Sequence, residues 1–386
     1  MKKRQCTACV ILLLAWPLAA LGYDDGDYVA RVLTPQEWTK LMQQALKGNH
    51  RAQTRVGIAY EFGEIVPQDY AEALKWFTRA SEGGDPVAEH NLGMLYFMGA
   101  GVQPDASQAL RYFEKASARG FAPAEFNAAL LYETGKAGTR DLGRALHLYL
   151  EAARNGYAPA ENNLGSMYES GEGMAQDLGT AVRWYEDSAL QGNAIGRFNV
   201  GRMYRLGGGV SQDFAKAAKW FELSSKQGYA KAQVALGDLY RAGLGVPHDD
   251  GQAAAWFRKA AEQDDTVGEN KLGVLYLRGL GVPVDPEAAF RWFLQAAEKG
   301  NRDAQTNLAF LYKEGLGVGR DLKKAYTWRL ISIGADNREN NAELGLLSQT
   351  MTQPQVSEAN AEALQWLSAH RTFVSETLEH APGGIP

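Results

Sequence analysis

The sequence predicts an all-α fold, a solenoid of about eight helix-turn-helix repeats of 36 residues each. A tyrosine recurs every 36 residues. Glycine or alanine lies three residues before each of these tyrosines, and aspartate lies nine residues after it. Self-similarity at a fixed period of roughly 20–50 residues indicates supersecondary units that stack into one array. Eight units of 36 residues account for 288 of the 386 residues. The recurring tyrosines are Tyr60, Tyr96, Tyr132, Tyr168, Tyr204, Tyr240, Tyr276 and Tyr312.

The fifth copy shows the first helix of a unit, helix A. Within residues 196–206, Val200 and Tyr204 are four apart and therefore share one helical face. Residues 207–209 are three consecutive glycines, which supply the positive φ angles that end a helix and turn the chain. Asp213 then predicts the N-cap of a second helix, since its carboxylate can accept from the first free amides.

The second helix, helix B, is predicted for residues 214–226 of the fifth copy. Ala217, Trp220, Phe221 and Ser224 follow the spacing of a buried helical stripe. One unit cannot bury such a stripe alone, so we expect neighbouring units to stack and share a continuous core. We expect the recurring aromatic row to serve this packing, with Trp220→Ala lowering the melting temperature. That row is Trp76, Tyr112, Trp184, Trp220, Trp256, Trp292 and Trp328, with Leu148 in the third copy.

The flanks of the repeat array predict processing and capping segments. Residues 1–22 combine the basic Lys2, Lys3 and Arg4 with an apolar run and a small-residue site near Gly22, the pattern of a cleaved signal peptide. An uncleaved anchor is the alternative, but the apolar run is short for a membrane span. We divide the rest into a polar lead and capping helix (23–49), eight repeats (50–337), C-terminal capping helices (338–380) and a tail (381–386). Thr34 and Pro35 predict the start of the N-terminal capping helix.

The predicted mature chain contains no cysteine, which excludes a disulfide framework and fits an oxidising compartment. Cys6 and Cys9, the only two cysteines, lie within the predicted signal peptide. Removing three of the 40 basic residues with that peptide leaves 37 against 45 acidic ones, a formal net charge of −8. This charge disfavours nucleic acid as a partner. The predicted location is periplasmic or secreted, with no stable membrane insertion after cleavage near Gly22.

The sequence offers no catalytic or metal-binding motif. The six histidines, at positions 50, 90, 147, 248, 370 and 380, include no pair with the spacing of metal ligands. There is no G-x-S-x-G element, and the triple glycine at 207–209 lacks the Lys-Ser/Thr of a phosphate loop. We therefore predict a protein that is not an enzyme and that needs no metal and no cofactor.

Once the repeat is written out, it resembles a known family. Ala160-x-x-x-Leu164-Gly165-x-x-Tyr168-x-x-Gly171-x-Gly173, followed by Asp177-x-x-x-Ala181-x-x-Trp184, is similar to the Sel-1-like repeat, a relative of the tetratricopeptide repeat. The resemblance implies a right-handed superhelix whose concave surface, lined by helices A, binds a partner protein or peptide. The third copy departs most, with Gly-Lys-Ala-Gly at 135–138 and Leu148, and we expect a looser joint there.

By this resemblance, the residue after each repeated tyrosine should face the concave groove. That row, with its neighbours, suggests an apolar patch and a basic patch, which together would suit a peptide with an apolar anchor and an acidic end. In the alternative, Met94, Phe97 and Leu130 pack between repeats while the arginines pair with Asp238 and Glu169. The candidate partner-binding residues are Met94, Phe97, Met98, Phe126 and Leu130 in the apolar patch, and Arg202, Arg205 and Arg241 in the basic patch.

These observations favour an interaction scaffold or adaptor of the bacterial cell envelope. A secreted factor that binds a host protein is the second hypothesis, and recovery from culture supernatant would favour it. A hydrolase of cell-wall or β-lactam-type substrates is the third, and it lacks an identifiable nucleophile or metal.

Overall fold

The computed structural model describes residues 33–334 and 341–370, which form nineteen α-helices and no strand. The predicted signal peptide, most of the polar lead, parts of the C-terminal capping region and the tail lie outside these residues. The prediction of an all-α repeat array is confirmed for the part that is described.

Each repeat consists of one helix A and one helix B. The helices A are α2 (His50–Phe62), α4 (Pro86–Met98), α6 (Ala122–Thr134), α8 (Ala158–Ser170), α10 (Ala194–Leu206), α12 (Ala230–Ala242), α14 (Thr266–Arg278) and α16 (Arg302–Glu314). The helices B are α3 (Tyr70–Glu82), α5 (Ala106–Ser117), α7 (Leu142–Arg154), α9 (Leu178–Leu190), α11 (Phe214–Lys226), α13 (Asp250–Ala261), α15 (Pro286–Glu298) and α17 (Leu322–Ile333). The flanking helices are α1 (Pro35–Leu46), α18 (Ala342–Gln349) and α19 (Gln353–Ala369).

The predicted helix boundaries hold closely. Helix B of the fifth copy spans the predicted residues, whereas helix A begins two residues earlier than predicted, at Ala194. Thr34 caps α1 through a capping box with Glu37. The last helix, α19, begins at Gln353 because Thr352 and Gln355 form a second capping box there.

The chain divides into two compact units. In the described residues, the N-terminal unit runs to Gly196 and includes 208–210, and the C-terminal unit comprises 197–207 and the residues from Ser211 onward. Within each unit, helices A and B of one repeat pack against each other and against the adjacent repeat.

In seven of the eight repeats, the aromatic residue directly after the tryptophan position is fully buried; repeat 8 has Arg329 at this position. Trp220 was predicted in the buried stripe, but it is only half-buried, whereas Ala217, Phe221 and Ser224 are fully buried. The smaller ring fits between the two helices, and the tryptophan covers the joint from its edge. The enclosed rings, each at most 1% exposed, are Phe77, Phe113, Tyr149, Tyr185, Phe221, Phe257 and Phe293.

This enclosed ring explains the glycine that lies three residues before the repeated tyrosine in six of the eight repeats; repeats 3 and 8 have Ala129 and Ala309 there. A Cβ added at the glycine of helix A would lie 2.5–2.7 Å from the ring carbons of the same repeat, closer than a Cβ can approach. Gly201, for example, faces Phe221 in this way. The glycines at this position of helix A therefore allow helix A and helix B of one repeat to approach closely.

The nine-residue spacing from tyrosine to aspartate closes the loop between the helices. In all eight repeats the aspartate N–H donates to the tyrosine C=O at 2.8–3.0 Å. The aspartate side chain then accepts from the first turn of helix B, as Asp213 does from the Lys216 N–H at 2.9 Å. One residue thus ends the loop and begins the next helix.

Candidate partner-binding surface

Consecutive helices A lie side by side in the C-terminal unit. Lys271 Nζ of α14 is 2.9 Å from Asp238 Oδ1 of α12. Asn307 of α16 donates to Asn270 of α14 at 2.8 Å. These contacts show that α12 and α14, and α14 and α16, are direct neighbours.

The row after the repeated tyrosine serves the fold in repeats 3 and 4. The Tyr149 hydroxyl donates to Glu133 Oε2 at 2.6 Å, and the Tyr185 hydroxyl donates to Glu169 Oε2 at 2.8 Å. The enclosed ring of helix B thereby holds the glutamate of helix A in the same repeat. Sequence reasoning missed this pairing, although tyrosine in place of phenylalanine at that position was a usable signal.

In repeats 5 and 6, the residue after the repeated tyrosine has no tyrosine hydroxyl of helix B to pair with. There the enclosed rings are Phe221 and Phe257, which carry no hydroxyl, and the helix A residues are Arg205 and Arg241. Arg241 is exposed and Arg205 is half-buried, with its Nε enclosed and without a hydrogen-bond partner. Within residues 33–334 and 341–370, neither guanidinium makes a hydrogen bond or an ion pair.

The predicted basic patch is therefore two arginines, not three. Arg202 is half-buried and already has an interaction partner. The alternative that Asp238 neutralises the arginines receives no support, because the ion pair of Asp238 is with Lys271.

Leu277 of α14 continues this row in repeat 7 and is half-buried. Val274 of α14 and Phe310 of α16 lie three positions before the row residue of their repeats; Val274 is half-buried, and Phe310 is 42% exposed. The row residue of repeat 8 is Lys313, which pairs with Glu314 at 3.4 Å. The arginines of repeats 5 and 6 are thus followed by apolar side chains on the helices A of repeats 7 and 8. We call the four side chains Arg205, Arg241, Leu277 and Phe310 the basic-apolar row.

The predicted apolar patch of the N-terminal unit is smaller than expected. Met94 and Phe97 are half-buried against the core, and Met98 is 37% exposed. Phe126 and Leu130 were wrongly predicted as surface residues, since they are 4% and 2% exposed.

The burial of Phe126 and Leu130 follows from their position on α6, a helix whose residues are buried nearly all round. Phe126 packs against the rings of Tyr149 and Tyr157, with centroids at 5.7 and 5.3 Å. Their apolar character therefore reflects packing between repeats. For Leu130, this is the alternative given in the sequence analysis.

Two buried titratable groups of the N-terminal unit have shifted pKa values. Burial raises the pKa of Glu61 to about 7; the enclosed ring of this repeat, Phe77, has no hydroxyl to donate to it. Burial lowers the pKa of His90 to about 4, and its ring packs against Phe113 and Phe121. Both groups belong to the packed interior.

No cluster of His, Cys, Asp or Glu in the described part of the chain has the arrangement of a metal site. Over the same residues, none of the helices has the length and apolar character needed to span a bilayer.

Comparison with known families identifies the repeat. The Sel1 repeat model matches eight consecutive segments, 50–85, 86–121, 122–157, 158–193, 194–229, 230–265, 266–301 and 302–328. The chain belongs to the Sel1 repeat family. Its fold is that of a scaffold for protein–protein interaction.

Solved Sel1 repeat structures resemble the chain over most of its length. A Sel1 repeat protein from Oxalobacter formigenes is 27% identical, with a TM-score of 0.62 over 91% of this chain and 98% of that chain. A protective antigen present in uropathogenic Escherichia coli strains, described as displaying an SLR fold, is 26% identical over 91% of both chains, with a TM-score of 0.46. No curated protein gave a significant match.

Proposed function

We propose that this Sel1 repeat protein is an adaptor of the bacterial cell envelope that binds an acidic, partly apolar segment of a partner protein on the basic-apolar row. The observation that carries the proposal is that Arg205 and Arg241 make no internal ion pair, while the equivalent Glu133 and Glu169 accept from tyrosine hydroxyls. Guanidinium groups with no internal partner suit carboxylate recognition.

The order of residues along the row supports one partner segment with two parts. Arg205 and Arg241 lie on neighbouring repeats and would contact its acidic part. Leu277 and the 42% exposed Phe310 lie on the next two repeats and would contact its apolar part. Burying an exposed phenylalanine stabilises a complex, and the charges select the partner and speed its association.

The envelope location is supported by sequence features alone. Residues 1–22 have the pattern of a signal peptide, and both cysteines lie within them. Fractionation of cells that express the tagged full-length chain tests this part: we expect the processed protein in the periplasm or the culture supernatant. Recovery of the unprocessed chain in the cytoplasm alone would contradict it.

In-cell crosslinking with mass spectrometry tests the binding surface. The variant Arg205→Glu with Arg241→Glu reverses both charges, and we expect loss of specifically crosslinked partners because an acidic segment would now be repelled. The matched control is Lys219→Glu with Arg291→Glu, which reverses two exposed charges on helices B of the same unit. A partner retained by the first variant, or lost equally from the control, rules out the basic-apolar row as the binding site.

A further inference from the structure

The loop of the third repeat lacks a side chain that every other repeat has. Three residues before the repeated aspartate, seven repeats carry valine or methionine, and the third carries Gly138. The seven aliphatic residues are Val66, Val102, Met174, Val210, Val246, Val282 and Val318.

In four other repeats this side chain is shown to pack against the hydrophobic core, as Met174, Val246, Val282 and Val318. The cluster beside Val246 contains Ala218 and Leu239, and Tyr240 packs against the same cluster. The cluster beside Val282 contains the same two positions one repeat further along, and Tyr276 packs against it. The space of this side chain is bounded by the preceding helix B and by the end of helix A.

In the third repeat the same space is open. A cavity of about 320 Å³ is lined by Leu110, Leu131 and Tyr132, the equivalents of Ala218, Leu239 and Tyr240, and by Ala137. Gly138 has a φ of +141°, and a Cβ built on it would meet no atom within 4 Å. The cavity is therefore bounded by the same repeat positions that lie around Val246 and Val282, and its size falls at the lower end of ligand-binding pockets.

Two arginines border this cavity and are fixed in place. Arg144 Nη1 donates to the Tyr132 hydroxyl at 2.8 Å, and Arg140 Nε donates to the Glu133 carbonyl at 2.6 Å. Arg140 also pairs with Glu172. Because these contacts hold the polar edge without an occupant, the cavity is formed in advance, which lowers the entropic cost of binding.

We propose that this cavity is a socket for one aliphatic side chain, valine, leucine, isoleucine or methionine, presented by a segment of a partner protein. The molecule itself indicates this chemistry, since seven of its repeats carry valine or methionine at the loop position, and four of these side chains pack against the hydrophobic core. An apolar anchor in a preformed pocket with a polar rim is a common centre of a protein interface. The socket lies within the N-terminal unit and uses neither Arg205 nor Arg241, so this proposal and the proposed function can fail separately.

Selection from a library of random displayed peptides tests the socket. Purified wild-type protein is the bait. The variant Ala137→Gly with Gly138→Val introduces the glycine-valine pair that five other loops have, and it is used to remove peptides that bind elsewhere. We expect selected peptides to share an aliphatic anchor and to bind the variant at least about 10-fold more weakly.

Two further variants keep the test independent of how the new loop folds. Leu110→Phe narrows the cavity from its opposite wall, a change for which Phe290 at the equivalent position is a precedent, and it should weaken the same peptides. Met174→Val, the same loop position in the next repeat, should leave their binding unchanged. Peptides without an aliphatic anchor, or equal binding to wild type and both filled variants, would overturn the socket. A wild-type dimer that becomes monomeric in the filled variants would replace the partner protein with a second copy of this chain.

Discussion

At the scale of single residues, six of the eight repeats share a contact between one ring of helix B and one glycine of helix A. Phe221 of α11 lies against Gly201 of α10 and against the Phe198 ring, whose centroid is 5.6 Å away. Trp220, the next residue, covers the edge of the same joint and stays half-buried. The larger aromatic residue is the more conspicuous in the sequence, but the smaller one fills the interior.

We expect Phe221→Ala to lower the free energy of unfolding by about 3–5 kcal/mol, because it leaves a cavity between helices that cannot close. Trp220→Ala should cost less, since part of the indole is already in water. Denaturant unfolding of both variants provides the measurement. An equal or larger loss for Trp220→Ala would contradict the ranking.

Glu61 makes stability depend on pH. Its carboxyl is buried, and its pKa is raised to about 7 in the folded protein, against about 4.3 in an unfolded chain. The folded state therefore binds this proton more tightly, and the free energy of unfolding decreases as the pH rises through this interval.

Glu61→Gln should remove this dependence. We expect the variant to be more stable than wild type by about 1–3 kcal/mol at pH 8 and little different at pH 4.5. Thermal melts at both pH values measure the difference. Glu82→Gln, at an exposed position on the adjacent helix, is the control and should show no such trend. If wild type and Glu61→Gln differ in melting temperature by the same amount at both pH values, Glu61 is not the group that makes stability depend on pH.

At the scale of secondary-structure elements, the loop between helices A and B is set by one aspartate. Its N–H bonds to the tyrosine carbonyl nine residues earlier, and its side chain caps helix B. This part of the fold could be predicted from sequence, because capping chemistry is local and depends on residue type and spacing alone.

Asp213→Ala should lower the free energy of unfolding by about 1 kcal/mol, because the Lys216 N–H loses its acceptor while the backbone bond to Tyr204 remains. Asp213→Asn keeps an acceptor and should recover most of the loss. Urea denaturation of the pair distinguishes the cap from a general effect of substitution. Equal stability of the two variants would mean that the cap contributes nothing.

Other features of the elements could not be read from sequence. Leu130 was predicted to face a groove from its position in the repeat, and Phe126 was included in the same apolar patch, yet α6 is buried nearly all round. Periodicity gives the face of a helix but not how closely the next helix covers it. For the same reason, the pairing of Glu133 with Tyr149 needed three-dimensional contacts between two helices to become visible.

At the scale of the whole molecule, each repeat is stabilised by its immediate neighbours. The last repeat is covered by the flanking helix α19, which packs against α17. There Tyr326, Leu330 and Ile331 share a core with Val356 and Ala359. Without this cap those side chains would face water, whereas distant repeats would keep all their own contacts.

A chain that ends at Gly334 should therefore lose protection locally. We expect amide hydrogen exchange in α17 to become at least about 100-fold faster, since several buried side chains become exposed, while α2 to α5 keep wild-type rates. Hydrogen-exchange mass spectrometry resolves these helices. Uniform loss of protection along the chain would show that the array unfolds as one cooperative unit.

The hydrogen bond from an enclosed tyrosine to its neighbouring glutamate has a genetic consequence. Phenylalanine and tyrosine codons differ by a single base, so one point mutation adds or removes the hydroxyl without altering the packed ring. Removing it frees the residue on helix A from its role in the fold, and later mutations there can change what the surface recognises. A gene of this kind can acquire new partners one repeat at a time while its backbone stays the same.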